Sequence, residues 1–302
     1  MTNRLMVCLV DGDGNILASQ PYDNFQYGQR SPEIVVPLRG ERLVEILHND
    51  LGKITFEDNH FKLKRILLSN VDVHVQAMIL LGKIAEAVII RRCQECPELN
   101  RKLFQLARRK KARTNTVNRF QAIGTGLKPT EQKYPKRYNS SDPQRDIIWV
   151  DETGQPALMS GSTTISGIEA GLQVKVSLHG IKYMVNDLLE NRYEVPMVYF
   201  PINNDFEIVI DYLLRSGKAY MLDPQTQEYR GIIPGEDIVD IRAYDYDSFE
   251  EVKDYYPIIC DLIDGRIQID ELVNIAYGHS SLKNAVLSTA LQNSNASSII
   301  TR

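Results

Sequence analysis

The chain has 302 residues, of which 43% are hydrophobic, and a formal net charge of -4 at pH 7. This length suits two domains, or one domain with accessory pieces, and the apolar fraction is ordinary for a globular protein. No run approaches the roughly 20 uninterrupted apolar residues of a membrane span, and charge follows the first apolar run too early for a signal peptide. We therefore expect a cytoplasmic protein that does not interact with membranes.

The chain has four cysteines, at positions 8, 93, 96 and 260. Four cysteines in a chain this long form no disulfide framework, which agrees with a reducing compartment. Cys93 and Cys96 have the spacing of half a zinc knuckle, but no second pair lies nearby in the sequence. A zinc site is therefore not predicted.

The charge is distributed unevenly along the chain. Residues 91–137 contain fourteen Lys and Arg against three Glu, a net charge of +11, whereas residues 236–271 have a net charge of -9. A dense basic segment is typical of a phosphate-binding surface, because each Lys or Arg near a phosphate releases condensed counterions. The sequence therefore predicts a nucleic-acid contact in this segment, with its densest part at Arg108, Arg109, Lys110, Lys111 and Arg113.

The first 70 residues are expected to form an accessory region. Residues 1 to about 40 are predicted to be β-rich, with a hairpin turn at Asp11–Asn15 between the apolar runs Leu5–Val10 and Ile16–Leu17. The turn lacks the downstream Glu of a calcium loop, so calcium binding is not predicted. A helix is predicted over Arg42–Leu51.

A long helix is predicted from Asp72 onward, and one acidic residue interrupts its apolar face. That face consists of Val75, Met78, Ile79, Ile84, Ala85, Val88 and Ile89. Glu86 lies among these residues, where an ionised carboxylate is costly unless it is paired or binds a metal. Glu86 is therefore either a site residue or a polar-side residue that reaches Arg91 or a nearby Lys.

Two strands follow the basic segment. The first, Arg145–Asp151, begins with Asp146 before an apolar run. In the second, Gly171–Ser177, the two-residue period places Gln173, Lys175 and Ser177 on one face.

An acidic residue at the start of one strand, followed by Gln-x-Lys on the next, resembles the PD-(D/E)xK nucleases, and the Gln variant is similar to the Mrr-type restriction endonucleases. The order of elements is also similar: a helix with Glu86, strands with Asp146 and Lys175, a helix over 181–193 and a strand over 195–202. The resemblance covers about residues 72–217 and implies an α/β restriction-endonuclease-like core, a mixed sheet flanked by helices. It further implies that Asp146, Gln173 and Glu86 bind Mg²⁺ or Mn²⁺, and that Lys175 assists the attacking water.

Alternatives for the individual positions remain. Glu169 replaces an assigned ligand if the strand register differs, and Asp142 or Asp151 is an alternative to Asp146. His179 lies close enough in sequence to contact phosphate, although a loop or core histidine is the simpler interpretation. The run Ile123–Gly126 with Lys128 is similar to a phosphate cradle but lacks the full phosphate-loop pattern.

The resulting hypothesis divides the chain into residues 1–70, a nuclease-like core over 71–217 with a basic insertion at 91–137, and an acidic, mostly helical region over 218–302 that ends in a frayed tail. We expect a metal-dependent endonuclease that hydrolyses DNA phosphodiester bonds in restriction or anti-phage defence, or as a transposon-encoded subunit. Partner subunits or a homo-oligomer would select its target. The alternatives are an inactive nuclease-fold subunit that binds nucleic acid or assembles a complex, and a protein-interaction module that uses the acidic region.

Overall fold

The computed structural model describes residues 6–10, 15–22, 24, 32–57, 60–64, 71–159, 167–189, 193–223, 226, 228–277 and 300–301. The chain forms two compact units. Unit 1 comprises residues 1–80 and 253–302, and unit 2 comprises residues 81–252. The boundary expected at residue 217 therefore lies inside unit 2, and the boundary expected at residue 70 lies ten residues before its start.

Among the described residues, unit 1 contains short antiparallel strands and helical segments that belong to it wholly or in part. Its strands are β1 (Met6–Val10), β2 (Ile16–Pro21), β3 (Ile54–Glu57), β4 (His60–Leu63) and β12 (Ile300–Thr301). Its helices are α1 (Pro32–Glu45), the first part of α2 (Val73–Glu95), the last part of α9 (Tyr246–Asp264) and α10 (Ile269–Tyr277). A π-helical turn, Ile46–Asp50, extends α1.

The N-terminal hairpin is confirmed, but the β-rich prediction is wrong beyond residue 31. β1 and β2 pair antiparallel, and residues 11–14 of the intervening turn lie outside the described residues. Residues 32–50 are helical. The run of three β-branched residues at 34–36 favours a strand locally, yet all three side chains are buried in the helix, so tertiary packing outweighs the local preference. Pro32 opens α1, a position where its missing N–H costs nothing.

Side-chain contacts join several elements of unit 1. Asp270 of α10 accepts a hydrogen bond from the backbone N–H of Phe61 in β4 at 2.6 Å, and its other oxygen lies 2.7 Å from His60 Nδ1. Arg39 of α1 lies 3.3 Å from the buried carboxylate of Asp254 in α9. β12 pairs with β1, so residues 300–301 of the expected tail form a strand, while residues 292–299 lie outside the described residues.

Unit 2 is built on a five-stranded mixed sheet in the order β11-β8-β7-β6-β5. These strands are β5 (Gln121–Gly124), β6 (Ile147–Val150), β7 (Gly171–Ser177), β8 (Met197–Pro201) and β11 (Ile238–Asp240). β5, β6 and β7 pair antiparallel, whereas β7, β8 and β11 pair parallel. The α/β class and the mixed sheet are therefore confirmed.

Helices and a small hairpin accompany the sheet of unit 2. The helices are the rest of α2, α3 (Pro97–Arg108), α4 (Thr114–Val117), α5 (Lys128–Lys133), α6 (Gly180–Tyr183), α7 (Val185–Leu189), α8 (Phe206–Ser216) and the first part of α9. Short 3-10 turns occupy Pro135–Arg137 and Ile241–Ala243. The hairpin joins β9 (Tyr220–Leu222) to β10 (Tyr229–Gly231).

The central strands β6, β7 and β8 are buried along their whole length. Near-continuous apolar runs such as Ile147–Val150 and Met197–Pro201 are typical of strands covered on both faces. On one face, α3 packs against β6, where Trp149 donates a hydrogen bond to Asn100 at 2.8 Å and contacts the ring of Phe104. β7 differs from its neighbours, because its buried opposite face carries polar side chains.

The basic segment 91–137 is not an insertion into this core. It contains the end of α2, the helices α3, α4 and α5, and β5, which is the edge strand of the sheet. In the same way, β11 extends the sheet beyond the expected boundary at residue 217, because it pairs with β8. The acidic region after it is helical, in α9 and α10.

Among the described helices, α2 has the length and apolar composition to cross a membrane. Of its most apolar 18-residue window, 56% is buried inside the protein. Buried core helices have the same composition, and the polar side chains of Lys83 and Glu86 lie within α2.

Candidate active site

Two buried carboxylates approach each other in unit 2. Glu86 lies in the middle of α2, between the fully buried residues Ala85 and Ala87, and its own side chain is only 3% exposed. Asp146 immediately precedes β6 and is also buried. The sequence singled out both residues, and the structure places them in one cluster.

Lys83 bridges the two carboxylates. Its Nζ lies 2.7 Å from Glu86 Oε1 and 3.6 Å from Asp146 Oδ1. Lys83 precedes Glu86 by three residues on α2, so both side chains extend from the same side of the helix. Sequence reasoning allowed a nearby Lys as a partner of Glu86 but did not identify Lys83 as part of the site; the i, i+3 spacing was the available signal.

β7 supplies the polar face predicted from its two-residue period. Gln173, Lys175 and Ser177 are all buried, and a polar row on a buried strand face is unusual. Lys175 Nζ lies 4.9 Å from the ring centre of Tyr193 and 5.3 Å from that of Tyr183. These cation–π contacts fix the position of the ammonium.

Backbone hydrogen bonds hold Asp146 against β7. The Asp146 N–H donates to Leu172 O at 3.0 Å, and Asp146 Oδ2 accepts from the Val174 N–H at 2.8 Å. These bonds lie on either side of Gln173, so Asp146 and Gln173 are neighbours across the strand pair. Asp146 O accepts from the Thr125 N–H at 2.9 Å, which brings the loop after β5 to the same place.

That loop contains the Gly-Thr-Gly run considered above as a phosphate cradle. A Cβ atom added to Gly126 would lie 3.8 Å from Lys83 Nζ and 3.3 Å from the backbone of Ser140. Glycine therefore permits the close approach of the loop to the backbone of Ser140, and the loop lies beside the Lys83 ammonium there. The run thus borders the carboxylate cluster.

Burial dominates the electrostatics of the cluster. It raises the pKa of Glu86 well above the ordinary value, reinforced by the charge of Asp146 and opposed by Lys83. Burial also raises the pKa of Asp146, against the opposing effects of Lys83, the Val174 N–H and Lys175. For Lys83, burial lowers the pKa, but Glu86 and Asp146 outweigh it and the pKa rises.

Two oxygen atoms of the cluster remain unsatisfied. Glu86 Oε2 and Gln173 Oε1 are buried and have no hydrogen-bond partner among the residues that the structure describes. Buried polar atoms are nearly always paired, so two orphaned acceptors in one cluster indicate a missing cationic or hydrogen-donating partner. Carboxylate and amide oxygens are the ligand types that Mg²⁺ and Mn²⁺ prefer, and the donor set therefore fits such an ion.

The cluster contains two carboxylates and one amide. Across the described ranges of the chain, no three His, Cys, Asp or Glu side chains converge into a metal-binding group. Cys93 is buried in α2, and burial raises the pKa of its thiol, which disfavours the thiolate that zinc requires. His179 is exposed, and its backbone N–H donates a hydrogen bond to Ser177 Oγ at 2.9 Å.

The alternative acidic ligands have other partners. Asp142 accepts hydrogen bonds from the N–H groups of Gln144 and Arg145, and Asp151 accepts from Thr153 and Gln155 within a turn. Glu169 forms ion pairs with Arg137 at 2.9 Å and Arg145 at 3.0 Å. The geometry therefore favours Asp146 as the acidic residue next to Gln173.

The five basic residues proposed to contact nucleic acid separate into two groups. Arg109 is 10% exposed and forms a very short ion pair with Asp237, and Arg108 donates to Leu158 O at 3.0 Å while stacking on Phe104. The remaining three are exposed: Lys110, Lys111 and Arg113. The accessible part of the basic run therefore begins after Arg109.

Comparisons of the chain with protein-family models, curated proteins and solved structures find no match. The functional argument therefore depends on the site itself.

Proposed function

We propose that unit 2 is the core of a metal-dependent endonuclease that hydrolyses DNA phosphodiester bonds. The observation that carries this proposal is the convergence of Glu86, Asp146 and Gln173, from three separate elements, with two buried oxygen atoms left unpartnered. A structural ion-pair cluster would satisfy these acceptors, whereas a divalent-ion site needs them available.

Asp146 is proposed as the principal ligand, with Gln173 and Glu86 completing the set. A bound Mg²⁺ or Mn²⁺ would polarise the scissile phosphate and lower the pKa of a water molecule. Lys175 lies on the same face of β7 as Gln173, held by Tyr183 and Tyr193. From that position its ammonium would orient the attacking water and offset negative charge that develops on the phosphate.

DNA is the proposed substrate because the exposed residues Lys110, Lys111 and Arg113 form a basic surface in the same unit. The setting proposed from the sequence resemblance is restriction or anti-phage defence in the cytoplasm. Target selection would come from partner subunits or from a homo-oligomer.

A specific observation also favours a second candidate, a nuclease-fold subunit without catalytic activity that binds nucleic acid or assembles a complex. Lys83 already supplies a positive charge between Glu86 and Asp146. A lysine that permanently replaces the metal would leave the fold and the basic surface intact while removing the chemistry.

The test is cleavage of plasmid and phage DNA by the full chain with Mg²⁺ or Mn²⁺, with EDTA as the metal-free control. The variants are Asp146→Asn and Lys175→Met, and Asp151→Asn is the matched control, since it makes the same chemical change in a turn outside the cluster. We expect both site variants to lose at least about a hundredfold in rate and the control to retain activity.

Equal activity in all four proteins, or activity that persists in EDTA, would show that the cleavage comes from a contaminant. Metal-dependent cleavage that Asp151→Asn abolishes and Asp146→Asn preserves would move the centre to the turn after β6. Absence of cleavage in the native chain, with DNA binding retained, would favour the non-catalytic candidate.

A further inference from the structure

Lys83 differs from the other lysine of the cluster in its freedom to move. Lys175 is 8% exposed and lies against two tyrosine rings, whereas the Lys83 side chain is 38% exposed. Lys83 therefore contacts both buried carboxylates from the solvent side. A flexible four-carbon side chain in this position can withdraw its ammonium into water without unfolding its helix.

The Lys83 ammonium occupies the position that a divalent ion needs. Its Nζ lies 2.7 Å from Glu86 and 3.6 Å from Asp146, so it contacts both acidic residues of the proposed ligand set. A divalent ion bound to the same oxygens would repel an ammonium at contact distance, because like charges in a partly buried site are weakly screened. The two cations therefore compete.

Lys83 satisfies the hydrogen bonding of only part of the cluster. Lys83 satisfies Glu86 Oε1, but Glu86 Oε2 and Gln173 Oε1 have no partner among the described residues. One ammonium thus neutralises part of the charge and leaves the rest of the ligand set available. A permanent structural counter-ion would be expected to complete the hydrogen bonding.

We infer that Lys83 is a resident counter-ion that restrains metal loading, so that a divalent ion binds the Glu86–Asp146 pair only after the Lys83 ammonium has left it. This inference depends on the metal site in the proposed function and adds a means of regulating it. The inference predicts that Lys83 weakens metal binding, although Lys83 is not itself a metal ligand and does not need to contact DNA.

The test measures Mn²⁺ binding by the full chain, without DNA, from the electron paramagnetic resonance signal of free Mn²⁺ at one fixed pH. The variants are Lys83→Met, which removes the charge, and Lys83→Arg, which keeps it. Lys102→Met is the matched control, because it removes one exposed positive charge from α3 in the same unit. Circular dichroism checks folding, and Lys83→Gln replaces Lys83→Met if that variant does not fold.

We expect Lys83→Met to bind Mn²⁺ at least tenfold more tightly than the native chain, with Lys83→Arg and Lys102→Met close to the native value. Unchanged or weaker binding by folded Lys83→Met or Lys83→Gln would overturn the inference. Asp146→Asn separates this failure from failure of the proposed site. If native binding is lost in Asp146→Asn but unchanged in Lys83→Met, the metal site remains and Lys83 does not restrain it; if no Asp146-dependent binding occurs in any variant, both proposals fail.

Discussion

Two buried acidic residues of unit 2, Asp237 and Glu86, differ in the completeness of hydrogen bonding at their carboxylate oxygens. Asp237 is fully buried and accepts hydrogen bonds from Arg109, from Arg230 at 2.5 and 3.0 Å, and from the Ile233 N–H at 2.7 Å. Glu86 is almost as deeply buried, yet one of its two carboxylate oxygens has no partner in the described part of the chain.

If Glu86 binds a metal as proposed, this difference separates a structural acid, Asp237, from a functional one, Glu86. A buried charge that is fully paired contributes to the specificity of the fold, while a buried charge left partly unpaired costs stability in the absence of a ligand. Asp237 should therefore be needed for folding. The buried, partly unpaired carboxylate of Glu86 should be present for a reason other than stability. The mutations below test that contrast.

Asp237→Asn should give the largest loss of stability. It leaves the guanidinium of Arg109 largely buried with no compensating charge, and it removes one of the two acidic partners that the structure gives Arg230. We expect the free energy of unfolding to fall by about 3–5 kcal/mol, measured by urea denaturation. Asp211→Asn is the matched control, because Asp211 pairs with Arg215 on the exposed surface of α8, where such a pair contributes about 0–1 kcal/mol.

Similar losses in Asp237→Asn and Asp211→Asn would contradict the structural assignment of the Asp237 cluster. A large loss in Asp237→Asn alone would support it.

The sequence predicts the strands beside Glu86 and Asp146 better than it predicts which charges meet. The two-residue period of β7 and the apolar run of β6 located Gln173 and Lys175 on β7 and Asp146 directly before the adjacent strand β6. Glu86 was recognised because a carboxylate within an apolar helix face is unfavourable. These signals are local, so a single sequence contains them.

The pairing of Arg109 with Asp237 joins residues 128 positions apart and could not be predicted locally. Four basic residues follow one another from Arg108 to Lys111, and their order does not indicate which one turns inward. The backbone decides this, because α3 ends at Arg109 in a left-handed conformation with φ of 51°. The helical form of residues 32–41 was missed for a comparable reason, because packing outweighed the β-branched run, whereas the helix predicted from Arg42 onward is present.

Glu86→Gln should have the opposite effect on stability from Asp237→Asn. Burial raises the pKa of Glu86, so the folded state holds its proton more tightly than the unfolded state. The contribution of Glu86 to stability is therefore fully present below its ordinary pKa of 4.5 and is lost as the pH rises through the folded-state value. The neutral amide removes this loss.

In the metal-free protein we expect Glu86→Gln to be more stable than the native chain at about pH 8, and this difference to shrink as the pH falls to about 4, where Glu86 is largely protonated in both the folded and the unfolded state. Urea denaturation in EDTA across this range measures it, and Asp146 titrates in both proteins, so its contribution is shared. Destabilisation at about pH 8 would show that Glu86 stabilises the fold through Lys83 and would remove the contrast with Asp237.

The smallest effect is expected for the exposed lysines that follow Arg109. Arg109 forms an ion pair with Asp237, whereas the next two residues, Lys110 and Lys111, are exposed. We expect the double variant Lys110→Gln/Lys111→Gln to weaken binding to duplex DNA roughly tenfold, which corresponds to about 1.4 kcal/mol. Each lost phosphate contact should also lower the slope of log affinity against log salt concentration by about 0.9.

The matched control is Lys62→Gln/Lys64→Gln, which removes two exposed charges from the other unit. Fluorescence anisotropy of a labelled duplex at several salt concentrations measures both variants. An unchanged salt slope in Lys110→Gln/Lys111→Gln would mean that the exposed part of the basic run does not contact phosphate. Equal decreases in the two double variants would mean that DNA binding follows total charge, in which case the division between a buried Arg109 and an exposed Lys110 and Lys111 has no functional consequence.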